Sequence, residues 1–298
     1  MILFTFLNCI LYALALKSKT SFKNLCNGCS NYDSVLLLMN PQNDFYPSSL
    51  DNSFHGSISL PYALDDARHL INFISNYGSK INNMYVCMDT HSNNDISFPS
   101  FWQNLNGEEP QPFTKITIDD ILCNNWFPKE MILFEQVLDY IQTLNLMDKH
   151  HEIWPPHCVK NTLGHNVHPL IENSIYDWQD KYNKRVSYIP KGINPLTEMY
   201  SLFMAEVPDP NDPLTGLNIN LLEELCKYKK IFVSGQPKTK CVQSTIEHLI
   251  ISKNINPNPE IIFLTDTCSN MPGKDFESFK FDTLMKKNGV QIMKTTDF

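Results

Sequence analysis

Short apolar runs alternate with segments of helical periodicity along most of the chain. Residues 34–39 (S-V-L-L-L-M) are continuously apolar, as expected for a strand buried on both faces. Residues 84–88, 186–189, 260–264 and 290–293 read as further short strands, as does the run Ile231, Phe232, Val233. Between them, residues 64–77 place Leu64, Ala67, Leu70, Ile71 and Ile74 at helical spacing. Residues 119–146 read as mostly helical, broken at Pro128, and residues 221–226, 245–251 and 274–287 read as helices. Strands alternating with helices predict a mostly parallel sheet covered on both faces, a three-layer α/β/α architecture. Residues 33–298 contain no linker and are expected to form one domain.

The first 32 residues stand apart. Residues 2–14 are almost wholly apolar and Ala13-Leu14-Ala15 has the A-x-A cleavage pattern. The run is short for a bilayer span and reads as a secretory signal without a positive n-region. Residues 17–31 are basic and polar with no acidic residue, so a two-part organelle address also fits. The expected destination is the secretory pathway or an organelle reached through it, or the cytoplasm if the segment is no signal. An uncleaved anchor or a plain tail are the other readings.

Composition narrows the function. With 298 residues and 42% hydrophobic content a large core can form, and a net charge of −8 argues against nucleic acid as partner. Of nine cysteines, Cys26 and Cys29 form a lone C-x-x-C with no second pair to complete a zinc site. The others show no framework spacing. An oxidising compartment fits poorly with a free catalytic thiol.

Such a thiol is suggested at Cys241. The run Ile231 to Val233 ends at Ser234-Gly235, a Gln-Pro pair follows, and Cys241 opens a helical stretch. Strand, turn and helix start put the thiol where free N–H groups and the helix dipole favour a thiolate. A buried core cysteine is the bland alternative. Asp89 and His91 lie two apart beyond a strand and read as a surface pair or as metal ligands. Taken alone, Phe45 and Trp154 read as core aromatics and Lys191 as a solvated lysine after a strand. The pairs His150-His151 and His165-His168 read as loop histidines.

Several stretches together resemble the nicotinamidases and the wider isochorismatase-like cysteine hydrolases. Residues 36–45 (L-L-L-M-N-P-Q-N-D-F) look like their opening strand, and residues 89–98 (D-T-H-S-N-N-D-I-S-F) like their metal-binding loop. Residues 154–164 (W-P-P-H-C-V-K-N-T-L-G) are very close to their W-P-x-H-C-V-x-x-T-x-G signature. Lys191-Gly192 with Tyr200-Ser201-Leu202-Phe203 resembles the catalytic-lysine segment, and residues 235–242 resemble the nucleophile segment G-x-A-x-D-x-C-V. The resemblance implies the three-layer fold read above and hydrolysis of a small amide such as nicotinamide to the acid and ammonia. It implies Cys241 as nucleophile, Lys191 as catalytic lysine, and Phe45, Trp154, Tyr200 and Pro237 around the substrate. It also implies Asp89, His91 and His157 as ligands of one divalent metal ion, zinc, iron or manganese, with Asp95 where a further metal-loop histidine is usual. A homo-oligomer is expected.

The chain departs from that pattern where the chemistry is done. The family's catalytic Asp falls on Asn40, and an amide cannot take the thiol proton as a carboxylate does. Asp44, four residues on, is a weak substitute. Pro237 stands where the family has an Ala whose N–H, after a cis peptide, helps hold the oxyanion, and proline has no N–H. Thr239 replaces a family Asp. Residues 103–149 are an insertion relative to the family core. The expected function is therefore a slow nicotinamidase-like amidohydrolase. The alternatives are a catalytically impaired protein that keeps a metal- and ring-binding pocket, or a related isochorismatase-like hydrolase.

Overall fold

The computed structural model describes residues 32–47, 54–253 and 259–298. The apolar N-terminal run, its A-x-A pattern and Cys9, Cys26 and Cys29 lie outside them.

Six strands make one sheet: β1 (Tyr32–Met39), β2 (Ile81–Asp89), β3 (Val186–Lys191), β4 (Tyr228–Gly235), β5 (Glu260–Leu264) and β6 (Gln291–Met293). Their order is β3-β2-β1-β4-β5-β6, and every adjacent pair is parallel. The helices are α1 (Ala63–Tyr77), α2 (Ile118–Leu122), α3 (Phe134–Leu146), α4 (Pro169–Tyr182), α5 (Ile219–Leu225), α6 (Gln243–Lys253) and α7 (Asp275–Lys287).

The apolar runs explain the layers. Successive strand residues point to opposite faces. On one face Leu36, Leu38 and Phe232 pack against Leu70 and Phe73 of α1 and Trp178 of α4. On the other, Leu37, Val233 and Phe263 pack against Leu222 of α5, Ile246 of α6 and Phe281 of α7. The expected three-layer α/β/α arrangement is thus observed. Burying each large apolar side chain contributes roughly 1.5–3 kcal/mol.

Strand order reverses between β1 and β4, and in open parallel sheets ligands bind beyond the carboxyl ends of strands at such a point. The two strand ends approach closely there. Gly235 has φ +124°, and a Cβ on it would lie 2.0 Å from the Met39 carbonyl oxygen. Only glycine fits that approach.

Two helical segments differ in detail from the sequence reading. Residues 119–146 are mostly helical, in α2 and α3, but the break is wider than one proline: α2 ends by Cys123, Asn124 takes φ 56°, and Phe127–Pro128 pairs antiparallel with Trp102–Gln103. The break comes before Pro128, because the chain leaves α2 to build that ladder. The second is α4, which sequence reading passed over. Pro169 sits at its first turn, Ile171, Ile175 and Trp178 are buried along one face, and Asn183 closes it at φ 50°. Proline at the start and left-handed Asn at the end are ordinary helix bounds, and the i, i+4, i+7 spacing was there to find.

The insertion carries its own apolar cluster. Ile116, Ile121, Val137, Ile141 and Leu144 pack with Ile96, Trp102 and Ile153. It is tied to the sheet-end loops by side chains considered next.

Candidate active site

Four strand ends supply the residues. Asn40 follows β1, Asp89 ends β2, Lys191 ends β3, and β4 runs through Gly235 into the turn that carries Cys241. Asn40 has φ 47°, a conformation Asn tolerates better than most side chains, and its N–H donates to the Cys87 carbonyl at 2.9 Å. Its amide is fully buried against the Cys241 thiol, and that contact lowers the thiol's pKa. Burial dominates, however, and pushes the Cys241 thiol up to about 12, with Lys191 opposing the rise. Cys241 does not lie within the regular helix. It sits in a wide turn, Lys238–Val242, that precedes α6. The expected thiolate of a helix start is therefore not favoured by this environment.

Lys191 is buried, with its Nζ 2.9 Å from Asp89 Oδ1 and 2.8 Å from the Met199 carbonyl. Burial alone would lower its pKa; the Asp89 charge outweighs it, and the ammonium is held above its usual range. Asp89 shows the reverse balance, with burial raising its pKa and Lys191 and His91 holding it well below the carboxylate range.

Asp89, His91 and His157 bring one ligand atom each within 4.8 Å of one another, all three buried. His91 Nε2 is 3.3 Å from Asp89 Oδ1 and His157 Nε2 is 3.8 Å from Asp89 Oδ2. His91 Nε2 is buried without a hydrogen-bond partner, an orphaned donor atom of the kind a cation satisfies. The other ring nitrogens are fixed: His91 Nδ1 by Asp95 Oδ2 at 3.0 Å, and His157 Nδ1 by the Pro155 carbonyl at 2.9 Å. Such outer partners orient metal-binding imidazoles. Two imidazoles and one carboxylate suit zinc, iron or manganese with coordination positions left open. The expectation that Asp95 is itself a ligand fits less well. It stands behind His91 and also accepts the Ser97 N–H at 3.0 Å.

Gln42 fixes Asp89 from β1. Its side-chain oxygen accepts the Asp89 N–H at 2.7 Å, and its side-chain nitrogen donates to the Asp89 carbonyl at 2.7 Å. Asp44 holds the loops: its carboxylate accepts from Cys158 N at 2.6 Å and from Ser57 N at 3.0 Å. Its oxygens are occupied by backbone, so it does not replace the missing carboxylate.

Beside the triad, a cavity is lined by Phe45, Ile58, Trp154, Tyr200, Pro237 and Cys241, with Asp89, His157, Glu198 and Lys240. The four residues expected around the substrate are all in its wall. Trp154 Nε1 donates to Tyr200 Oη at 3.0 Å, and Phe45 meets the His157 ring edge-on at 5.8 Å. The Gln236–Pro237 bond is cis, as the resemblance implied. The turn before it is anchored, since Asp66 Oδ2 accepts from Gln236 Nε2 at 2.7 Å and from Ser269 Oγ at 2.5 Å.

Sequence reading missed Gln42, Glu198 and Lys240. Glu198 is buried, accepts from Ser97 Oγ at 2.7 Å and Met199 N at 2.9 Å, and burial raises its pKa. Lys240 directly precedes Cys241, which was the one available signal. His151 was taken as a loop histidine but is buried: its Nε2 bonds the Ile96 carbonyl at 2.7 Å and its Nδ1 meets Tyr140 Oη at 3.3 Å. Tyr140 lies on α3, so the insertion props the loop that carries Asp95.

No family model matches the sequence, and no curated protein matches it by sequence. Solved structures match its fold. An Acinetobacter baumanii nicotinamidase–pyrazinamidase is similar at 20% identity and TM-score 0.60, covering 89% of this chain and 97% of that one. The yeast nicotinamidase bound to the inhibitor nicotinaldehyde matches at 17% and 0.59, covering 88% and 99%. A Pyrococcus horikoshii pyrazinamidase in complex with zinc matches at 16% and 0.50, covering 88% and 99%. The six-stranded parallel sheet with helices on both sides is the fold of these nicotinamidase structures.

Proposed function

We propose that this chain is a nicotinamidase-like cysteine amidohydrolase whose acylation step is slow. The observation that carries the reading is convergence: Cys241, the Asp89–His91–His157 triad and the aromatic walls meet at one cavity, with Lys191 bound to Asp89. Likeness of fold to nicotinamidases supports the reaction class, and a relative in complex with zinc supports a divalent metal.

The substrate is a small flat amide such as nicotinamide. Phe45, Trp154 and Tyr200 offer the apolar faces that suit such a ring. Asp89, His91 and His157 would hold the metal ion, which would supply a Lewis-acidic anchor for a ring nitrogen or water. Cys241 sulfur forms a bond to the amide carbon, the carbon–nitrogen bond breaks as ammonia leaves, and water hydrolyses the thioester to the acid. Lys191 keeps positive charge beside the reacting sulfur. The weak point is the thiol proton. Asn40 offers no carboxylate to receive it, and general-base help is typically worth ~10²–10⁴-fold. Pro237 also withholds one oxyanion donor, a loss on the order of 10²–10³ in rate.

The test is ammonia release, with mass spectrometry of the native protein quenched during incubation with nicotinamide. Ammonia release above the Cys241→Ala background supports the reading, with or without a nicotinoyl mass gain on the peptide containing Cys241, since slow acylation leaves little thioester to trap. Absence of that adduct together with ammonia release no faster than Cys241→Ala contradicts it.

A second reading has its own support. An amide instead of a carboxylate at Asn40, against the thiol, and the proline at position 237 favour a protein that binds metal and ring without turning over. Ligand binding with neither adduct nor ammonia is the outcome that selects it. A homo-oligomer and a destination reached through the secretory pathway are further proposals, to be tested by light scattering and by localising the tagged full chain.

A further inference from the structure

We propose that Lys240 makes the cavity select an aromatic amide carrying a carboxylate over an uncharged one. The inference rests on the reading of the cavity as a ring-amide site and names the substrate class within it.

Lys240 lines the cavity beside Cys241 and Pro237. Among the described residues of that wall it is the one lysine or arginine. Its ammonium lies 5.2 Å from the Trp154 ring centroid and 4.9 Å from that of Tyr200, the two aromatic faces expected to hold the substrate. It also sits 2.7 Å from Glu152 Oε2, with the lysine side chain 23% exposed and the glutamate 8% exposed. An ammonium has three N–H donors, and Glu152 takes one. A carboxylate entering the cavity beside Trp154 and Tyr200 would share this cation with Glu152.

The other charged groups of the wall do not compete for that role. Asp89 is neutralised by Lys191 and stands among the metal-site histidines. Glu198 has both oxygens hydrogen-bonded, to Ser97 and Met199, and burial favours its neutral form. Cys241 is held as a neutral thiol, and Asn40 behind it carries no charge. The cavity therefore lacks the anion at position 40 that would repel a second anion, while Lys240, one of its donors taken by Glu152, presents the remaining ammonium donors at the wall. In a site shielded from water such a charge acts more strongly than on the surface. A neutral amide gains less from it than a carboxylate does.

The probes are nicotinamide and the same ring bearing a carboxylate at the remaining meta carbon. Their affinities are measured by calorimetry on the native protein, Lys240→Met, Lys240→Arg and Glu152→Gln. The expected result is that the carboxylate derivative binds the native protein at least about tenfold more tightly. The preference falls to within about threefold in Lys240→Met, persists in Lys240→Arg and grows in Glu152→Gln, which removes the rival anion. It also shrinks as salt rises from about 0.05 M to about 0.5 M. Equal affinities in the native protein overturn the proposal, as does a preference that survives in Lys240→Met. If circular dichroism shows Lys240→Met unfolded, a salt-independent preference in the native protein overturns it instead. Binding of nicotinamide without preference defeats this inference alone. Binding of neither ring defeats the ring-site reading as well.

Discussion

Lys191 Nζ pairs with Asp89 Oδ1 at 2.9 Å, so the lysine beside the thiol is neutralised by the carboxylate of the Asp89–His91–His157 cluster. With an uncharged amide at Asn40, no other carboxylate is in position to share that charge from β1. The thiol end and the metal end of the cavity are coupled through this pair. Removing either partner leaves a buried, unpaired charge, which costs about 3–5 kcal/mol. Lys191→Met is expected to lower stability by that order and to abolish ammonia release, as read by denaturant unfolding and an ammonia assay. Unchanged stability would show that the pair is not buried as described.

The metal reading separates ligands from their supports. Removing a ligand in His91→Ala or His157→Ala is expected to abolish stoichiometric metal after dialysis, measured by elemental analysis. Asp95→Ala leaves the three ligands in place, removes the partner of His91 Nδ1 and of the Ser97 N–H, and is expected to weaken binding by about 10–100-fold in chelator competition. Loss in Asp95→Ala as complete as in His91→Ala would make Asp95 a ligand after all.

Acid sensitivity follows from two buried imidazoles. Burial lowers the pKa of His151 and of His248 to about 4, against an ordinary value of 6.5. Above pH 6.5 both are neutral folded and unfolded, so their neutrality has no pH-dependent cost. As pH falls from 6.5 toward 4 the unfolded chain takes up the protons and the folded chain does not, so stability declines. Each contributes a loss on the order of 3 kcal/mol by pH 4. His248→Asn, measured by urea unfolding across this window, is expected to show a shallower decline than the native chain. An identical slope would contradict the assignment.

Gly235 leaves no room for a side chain, since an added Cβ would fall 2.0 Å from the Met39 carbonyl oxygen and φ is +124°. Gly235→Ala is expected to cost about 3 kcal/mol or more, on the order of 10 °C in melting temperature. A melting temperature within a degree of the native value would mean that the β1–β4 approach is looser.

The layers were legible because buried parallel strands leave continuous apolar runs, as at residues 34–39 and in Ile231 to Val233. The clustering of Asp89, His91 and His157 was legible through local spacing and signature, with Asp89 and His91 two apart and His157 inside W-P-P-H-C-V. What was hidden depends on contacts distant in sequence. The role of His151 needs Ile96, 55 residues away, and Lys240 enters the wall only once Trp154 and Glu152 are brought to it. Helix α4 was passed over although its bounding Pro169 and Asn183 were in view. The high pKa of Cys241 reflects burial, which a strand–turn–helix pattern does not report.

The most direct measurement is the rate of ammonia release from nicotinamide by metal-analysed native protein, Asn40→Asp and Cys241→Ala, side by side. The account predicts slow release by the native chain above the Cys241→Ala background. It predicts an increase of roughly 10²–10⁴-fold in Asn40→Asp, where a carboxylate would receive the thiol proton beside Lys191. No release above the Cys241→Ala background by native protein and Asn40→Asp alike, with metal bound in both, would contradict it.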